Sequence, residues 1–131
     1  MSNYKTFEYS LEIKEHHLDT FGHVNNATYL SLMEEARWEL ITEGGFGLDT
    51  IQQKQIGPII LACNIKFIKE LKLRQQINIQ SQVIAYRKKV GEIQQTILNA
   101  DGEVSADAVF TIGLFDMKAR KLMQPTDAWL H

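Results

Sequence analysis

The sequence predicts an α+β domain in which a curved antiparallel β-sheet wraps around one long central α-helix. Three observations predict it. Apolar residues alternate near the N-terminus, one long stretch after residue 25 has helical spacing, and strand-like patterns run from residue 59 almost to the end.

Residues 6–13 place Phe7, Tyr9, Leu11 and Ile13 on one side and Thr6, Glu8, Ser10 and Glu12 on the other, the mark of a half-buried strand. A polar segment, 14–25, follows. Tyr29, Leu32, Met33, Ala36 and Leu40 then recur at helical spacing, so 26–43 reads as an amphipathic helix. Asn25 or Asn26 is its N-cap and Gly44-Gly45 its stop. A short second helix is expected over 48–54.

After Gly57-Pro58, residues 59–69 are largely apolar, as expected of a central strand. In 76–87, Ile77, Ile79, Val83 and Ala85 alternate with Asn78, Gln80 and Gln82; Arg87-Lys88-Lys89 then turns the chain into 90–100. Asn99-Ala100-Asp101-Gly102 is a hairpin signal, and in 103–117 Val104, Ala106, Ala108, Phe110, Ile112 and Leu114 share a face. The long helix is the available cover for the apolar face of these strands. An open sheet keeps bare edges unless a second copy pairs with one, so a homodimer or homotetramer is expected.

At 131 residues the chain is one domain, 1–131, and its 44% apolar content is that of a globular protein. Cys63 is the only cysteine, which excludes an intrachain disulfide and a cysteine metal cluster. Its neighbours Leu61, Ala62 and Ile65 favour a packed thiol. The N-terminal residues 1–5 lack the pattern of a secretory signal, and no apolar run approaches the roughly 20 residues of a membrane span. A cytoplasmic protein with no membrane partner is expected.

A net charge of −2 gives no drive toward nucleic acid. Residues 1–65 hold nine acids against four Lys/Arg, and 66–131 hold seven against ten. The cations fall mainly in three groups: Lys66, Lys69, Lys72 and Arg74; Arg87, Lys88 and Lys89; Lys118, Arg120 and Lys121. Each group alone reads as a solvated turn. Together they suit a discrete phosphate-bearing ligand better than a polyanion.

Chemistry concentrates in Asp19-Thr20-Phe21-Gly22-His23-Val24-Asn25-Asn26-Ala27-Thr28-Tyr29. An acid, a histidine and two amides share one loop that ends at a helix N-terminus. Free N–H groups of a first helical turn favour negative charge, so a carbonyl placed there is polarised and an oxyanion stabilised. A carboxylate on the loop can activate water or attack the carbonyl. The same residues are also ordinary turn and cap formers. The spacing of His16, His17, Asp19 and His23 matches no metal-ligand pattern, and no metal is expected.

This stretch, followed by Glu34-Glu35-Ala36-Arg37, closely resembles the motif of the 4-hydroxybenzoyl-CoA thioesterase family, which has the hotdog fold. Element order and length resemble it over the whole chain. The resemblance implies hydrolysis of an acyl-CoA to free acid and coenzyme A, with no cofactor apart from the coenzyme A of the substrate. It implies Asp19 as the catalytic carboxylate, the Asn26 backbone N–H as the carbonyl anchor, and His23 beside them. Gly22 lets the loop approach the acyl group, Asn25 hydrogen-bonds the loop and Tyr29 packs beneath it. Many members carry a second acid where this chain has His17.

The family's sites lie at a dimer interface, which makes Asn64 and Lys66 candidates for completing the pocket. The coenzyme A nucleotide is expected at one of the basic groups, Arg87, Lys88 and Lys89 among them. Two other functions share the motif's chemistry: hydrolysis of acyl-carrier-protein thioesters, and acyl-CoA binding without turnover. A hotdog dehydratase requires an acid and histidine pair elsewhere on the helix, which the sequence lacks.

Overall fold

The computed structural model describes residues 5–126 and Trp129; residues 1–4, part of the segment read for a secretory signal, lie outside them. In chain order the elements are β1 (Phe7–Glu12), a 3-10 turn (Glu15–His17), α1 (Asn26–Glu43), α2 (Leu48–Lys54), β2 (Ile56–Phe67), β3 (Gln76–Arg87), β4 (Val90–Leu98), β5 (Val104–Asp116) and β6 (Lys121–Met123). The sheet is antiparallel with order β1-β3-β4-β5-β2, and β6 pairs with the end of β5. Both helices span the residues expected of them, α1 where the helical spacing puts it. The 3-10 turn and β6, three residues each, are too short to show a period.

Irregularities at Ile60/Ala62, Val83/Ala85 and Ile97/Leu98 interrupt the ladders. Such bulges bend strands and increase twist, which is how a long sheet comes to curve around a helix. The concave face contributes Ile79, Ile93, Ile97, Ala106, Ala108, Phe110 and Ile112 to one buried cluster with Leu32, Met33 and Ala36 of α1. Val104, expected on that face, is 36% exposed because it sits at the open end of β5.

One buried polar cluster interrupts this apolar layer. Gln95 Nε2 donates to the Met33 carbonyl at 3.0 Å and to Ser81 Oγ at 2.9 Å, and Gln95 Oε1 accepts from Arg37 Nη1 at 2.9 Å. The Arg37 guanidinium lies 4.3 Å from the centroid of the Phe110 ring, and burial lowers its pKa from the ordinary value. Every polar atom of the Gln95 amide group is used, so helix and sheet are clipped at one register without an orphaned group.

The expectation of a central β2 is overturned: β2 is an edge strand, and residues 60–64 are all exposed. Its two-faced apolar pattern resembles that of a doubly covered strand, yet among the described residues only β5 pairs with it. Cys63 is exposed on this edge, which corrects the expectation of a packed thiol; partial burial still raises its pKa.

The sheet has two chemically different ends. At one, Ile13 N–H donates to the Gln75 carbonyl at 3.0 Å and α1 begins. At the other, the β3–β4 and β5–β6 turns meet: a Cβ on Gly113 would lie 2.6 Å from Leu122 and 3.1 Å from the Lys89 carbonyl. That close approach favours glycine and sets the Lys89 backbone near Leu122, the sequence neighbour of Lys121.

Candidate active site

Asp19 begins the loop that leads into α1. Its N–H donates to the His23 carbonyl at 2.9 Å, and its own carbonyl accepts from the Gly22 N–H at 3.0 Å. Its side-chain Oδ1 accepts from the N–H groups of Phe21 at 2.9 Å and His23 at 3.1 Å. Thus one carboxylate oxygen organises the turn, and among the described residues Oδ2 has no hydrogen-bond partner. Gly22 has φ +76°, and a Cβ there would meet nothing within 4 Å. Here glycine is needed for backbone conformation rather than for space.

Val24 is buried and anchors the far side of the loop. Asn25 is the N-cap: its Oδ1 accepts from Thr28 N–H at 3.1 Å and from Thr28 Oγ1 at 3.3 Å. The Thr28 and Tyr29 N–H groups also turn back to the Asn25 carbonyl, at 3.0 and 3.2 Å. Among the described residues the Asn26 and Ala27 N–H groups have no acceptor, which makes them the open donors of the first turn. Behind them stands an 18-residue helix whose dipole favours negative charge at this end.

Tyr29 is buried beneath the loop. Its hydroxyl donates to the Lys69 carbonyl at 3.3 Å, and its ring meets Phe67 edge-on, centroids 5.2 Å apart. His23 is exposed, with Nε2 3.5 Å from Glu70 Oε1 on the segment after β2. The sequence offers no sign of Glu70, because it is 47 positions away and on a different element. Nor does it single out Phe21, which is 82% exposed, so that its ring adds almost nothing to the core.

His17 holds the position where the motif often has an acid. Its Nδ1 accepts from Lys14 N–H at 2.9 Å, and its pKa is lowered chiefly by burial and then by His16 and Lys14, with Glu35 opposing. Among the described residues no three His, Cys, Asp or Glu side chains gather as a metal ligand set.

The structure brings Asp19, Gly22, His23, Asn25, the Asn26 N–H and Tyr29 together. It does not bring Asn64, Lys66, Arg87, Lys88 or Lys89 to them. Asn64 and Lys66 face outward on β2, in register with Val109 and Asp107. Arg87, Lys88 and Lys89 stand at the opposite end of β3, on the order of 35 Å from the loop by strand rise. They are joined there by Lys118, Arg120 and Lys121. In the third group, Lys69 pairs with Glu103, and Arg74 with Glu12 and Glu15.

Residues 13–130 match the thioesterase-like superfamily. The chain is 32% identical over 114 residues to the long-chain acyl-CoA thioesterase FadM of Escherichia coli (strain K12), covering 86% of each. The crystal structure of YbaW, a probable thioesterase from Escherichia coli, superposes with TM-score 0.80 at 30% identity, covering 89% of this chain and 88% of that one. A Staphylococcus aureus protein solved in complex with coenzyme A superposes with TM-score 0.89 over 98% of this chain and 82% of its own; at 13% identity it shows the shared fold alone. A curved antiparallel sheet around a helix, the loop chemistry and these likenesses agree: the chain belongs to the thioesterase-like superfamily of hotdog-fold enzymes.

Proposed function

We propose that the chain hydrolyses acyl-CoA thioesters at the junction of the Asp19 loop and the first turn of α1. One observation carries this reading: a carboxylate held through Oδ1 by two backbone N–H groups precedes a helix whose Asn26 and Ala27 N–H groups are open. A thioester carbonyl against the Asn26 N–H is polarised, and the charge that develops on its oxygen is stabilised by the helix end. Asp19 Oδ2 takes a proton as water oxygen adds to the carbonyl carbon. The oxyanion then collapses, the C–S bond breaks, and Asp19 returns its proton to the departing coenzyme A sulfur. Direct attack by Asp19, followed by hydrolysis of the anhydride, gives the same products. His23 borders the loop, and Phe21 offers an apolar wall to the acyl group.

The Escherichia coli relative is a long-chain acyl-CoA thioesterase, which supports a long aliphatic acyl group here. The reading places the enzyme in the cytoplasm, where coenzyme A thioesters are made and used. It requires no cofactor beyond the substrate's own coenzyme A.

A homodimer through β2 supports the same chemistry. Ile60, Leu61, Phe67 and Ile68 are 42–56% exposed on or beside this unpaired edge. Antiparallel pairing of β2 with its copy covers them and brings the second copy's Arg87, Lys88 and Lys89 toward the first copy's Asp19 loop. The basic turns then take the nucleotide phosphates, while Asn64 and Lys66, on the outer face of β2, stand beside the seam between the two copies. The six clustered cations also suit an acidic acyl carrier protein. Steady-state hydrolysis of matched CoA and carrier thioesters over several chain lengths tests the reading; lack of turnover on every thioester refutes it.

A further inference from the structure

A cavity of about 510 Å³ lies between the C-terminal half of α1 and the sheet, at the end opposite the Asp19 loop. Ile93 and Ile112 form its buried floor, and Leu40, Ile41 and Phe46 its helical side. Trp129 closes one flank: its Nε1–H donates to Tyr86 Oη at 3.0 Å, and its ring meets Phe46 edge-on at 5.2 Å. Natural cores leave few voids larger than a water molecule. A cavity this large and this apolar has the size and lining of a ligand site.

The cavity is not a continuation of the Asp19 site within the chain. Between them Leu32, Met33 and Ala36 are fully packed, and Gln95 ties the Met33 carbonyl to Ser81 across the gap between helix and sheet. An acyl chain attached at the Asp19 loop reaches the cavity only by breaking that clip.

We infer that this cavity is a second ligand site, separate from the Asp19 site, that takes the aliphatic chain of a free long-chain fatty acid. An aliphatic chain suits a space whose floor is Ile93 and Ile112 and whose helical side is Leu40, Ile41 and Phe46. Lys5 stands at the mouth to meet a carboxylate, and Glu43 on the same rim tempers that attraction. The chain rather than the head group therefore supplies most of the affinity. The inference goes beyond hydrolysis and needs no turnover.

The chain has two tryptophans, Trp38 and Trp129, so Trp38→Phe leaves Trp129 as the sole reporter. ω-Bromododecanoic acid, whose bromine quenches an indole on contact, is expected to quench Trp129 saturably. Hexadecanoic acid is expected to reverse the quenching, and coenzyme A to leave it unchanged. The same curve is expected after Asp19→Asn is added, which separates this site from hydrolysis. The reciprocal Trp129→Phe protein, reporting from Trp38, is expected to show no saturable quenching. Val83→Phe, which fills the cavity, should weaken binding by about tenfold. No saturable quenching of Trp129, or its loss on adding coenzyme A, overturns the inference.

Discussion

The Phe21 N–H donates to Asp19 Oδ1 at 2.9 Å, so the backbone beside the proposed catalytic carboxylate holds one of its oxygens in place. An asparagine at position 19 keeps an Oδ1 that accepts the same bond but loses the second carboxylate oxygen. Asp19→Asn is therefore expected to fold normally by circular dichroism and to lose activity by roughly 10²–10⁴-fold. Asn26→Ala, which keeps its N–H, is expected to retain most activity. Collapse of both variants instead assigns a role to the Asn26 side chain.

The proposed dimer makes each site depend on two chains. Asp19→Asn and a triple Arg87→Gln, Lys88→Gln, Lys89→Gln variant are each expected to hydrolyse poorly. Unfolded, mixed in equal amounts and refolded together, they should recover about a quarter of the wild-type sites, because half the dimers then contain one intact pair. Light scattering of the wild type reports the dimer directly. A monomer, or a mixture no more active than its parents, contradicts this arrangement.

Gln95 is the buried hub between α1 and the sheet. Gln95→Leu removes partners from the Met33 carbonyl, Ser81 and Arg37 at once. Each buried polar group left unpaired costs about 1–3 kcal/mol, so the urea midpoint is expected to fall clearly. Ser81→Ala, which leaves two of the three contacts in place, should cost less. Equal stability of Gln95→Leu and wild type shows that the clip contributes nothing.

Tyr9 donates its hydroxyl to the Glu35 carboxylate, and this bond, with burial, pushes its pKa up from 10.0 to about 12. The folded state therefore holds the phenol proton more tightly than the unfolded chain. The resulting stabilisation is complete below pH 10.0 and is lost as pH rises toward about 12. Wild type should lose stability over that interval more steeply than Tyr9→Phe, as read from urea midpoints at successive pH values. Parallel curves exclude a contribution from Tyr9.

Local order is strongly written in this chain. The boundaries of α1 follow from the Asn25 cap, the spacing of Tyr29, Leu32, Met33 and Ala36, and the Gly44-Gly45 stop, all within a few turns of one another. The same holds for the Asp19 loop, whose acid, glycine and amides meet because they are neighbours in sequence. His23 and Glu70, by contrast, meet only after β2 has returned the chain to the loop.

By itself the sequence determined the α+β class, both helices and the residues of the Asp19 loop, since period and capping act over short spans. Tertiary structure alone decided that apolar β2 lies at an edge, that Gln95 clips Met33 to Ser81, and that Lys89 lies beside Gly113. It also decided that a cavity opens behind Trp129. Each of these depends on which strands pair and where the helix lies across them. Those long-range choices are set by the joint packing of distant segments, and no single stretch of the chain carries them.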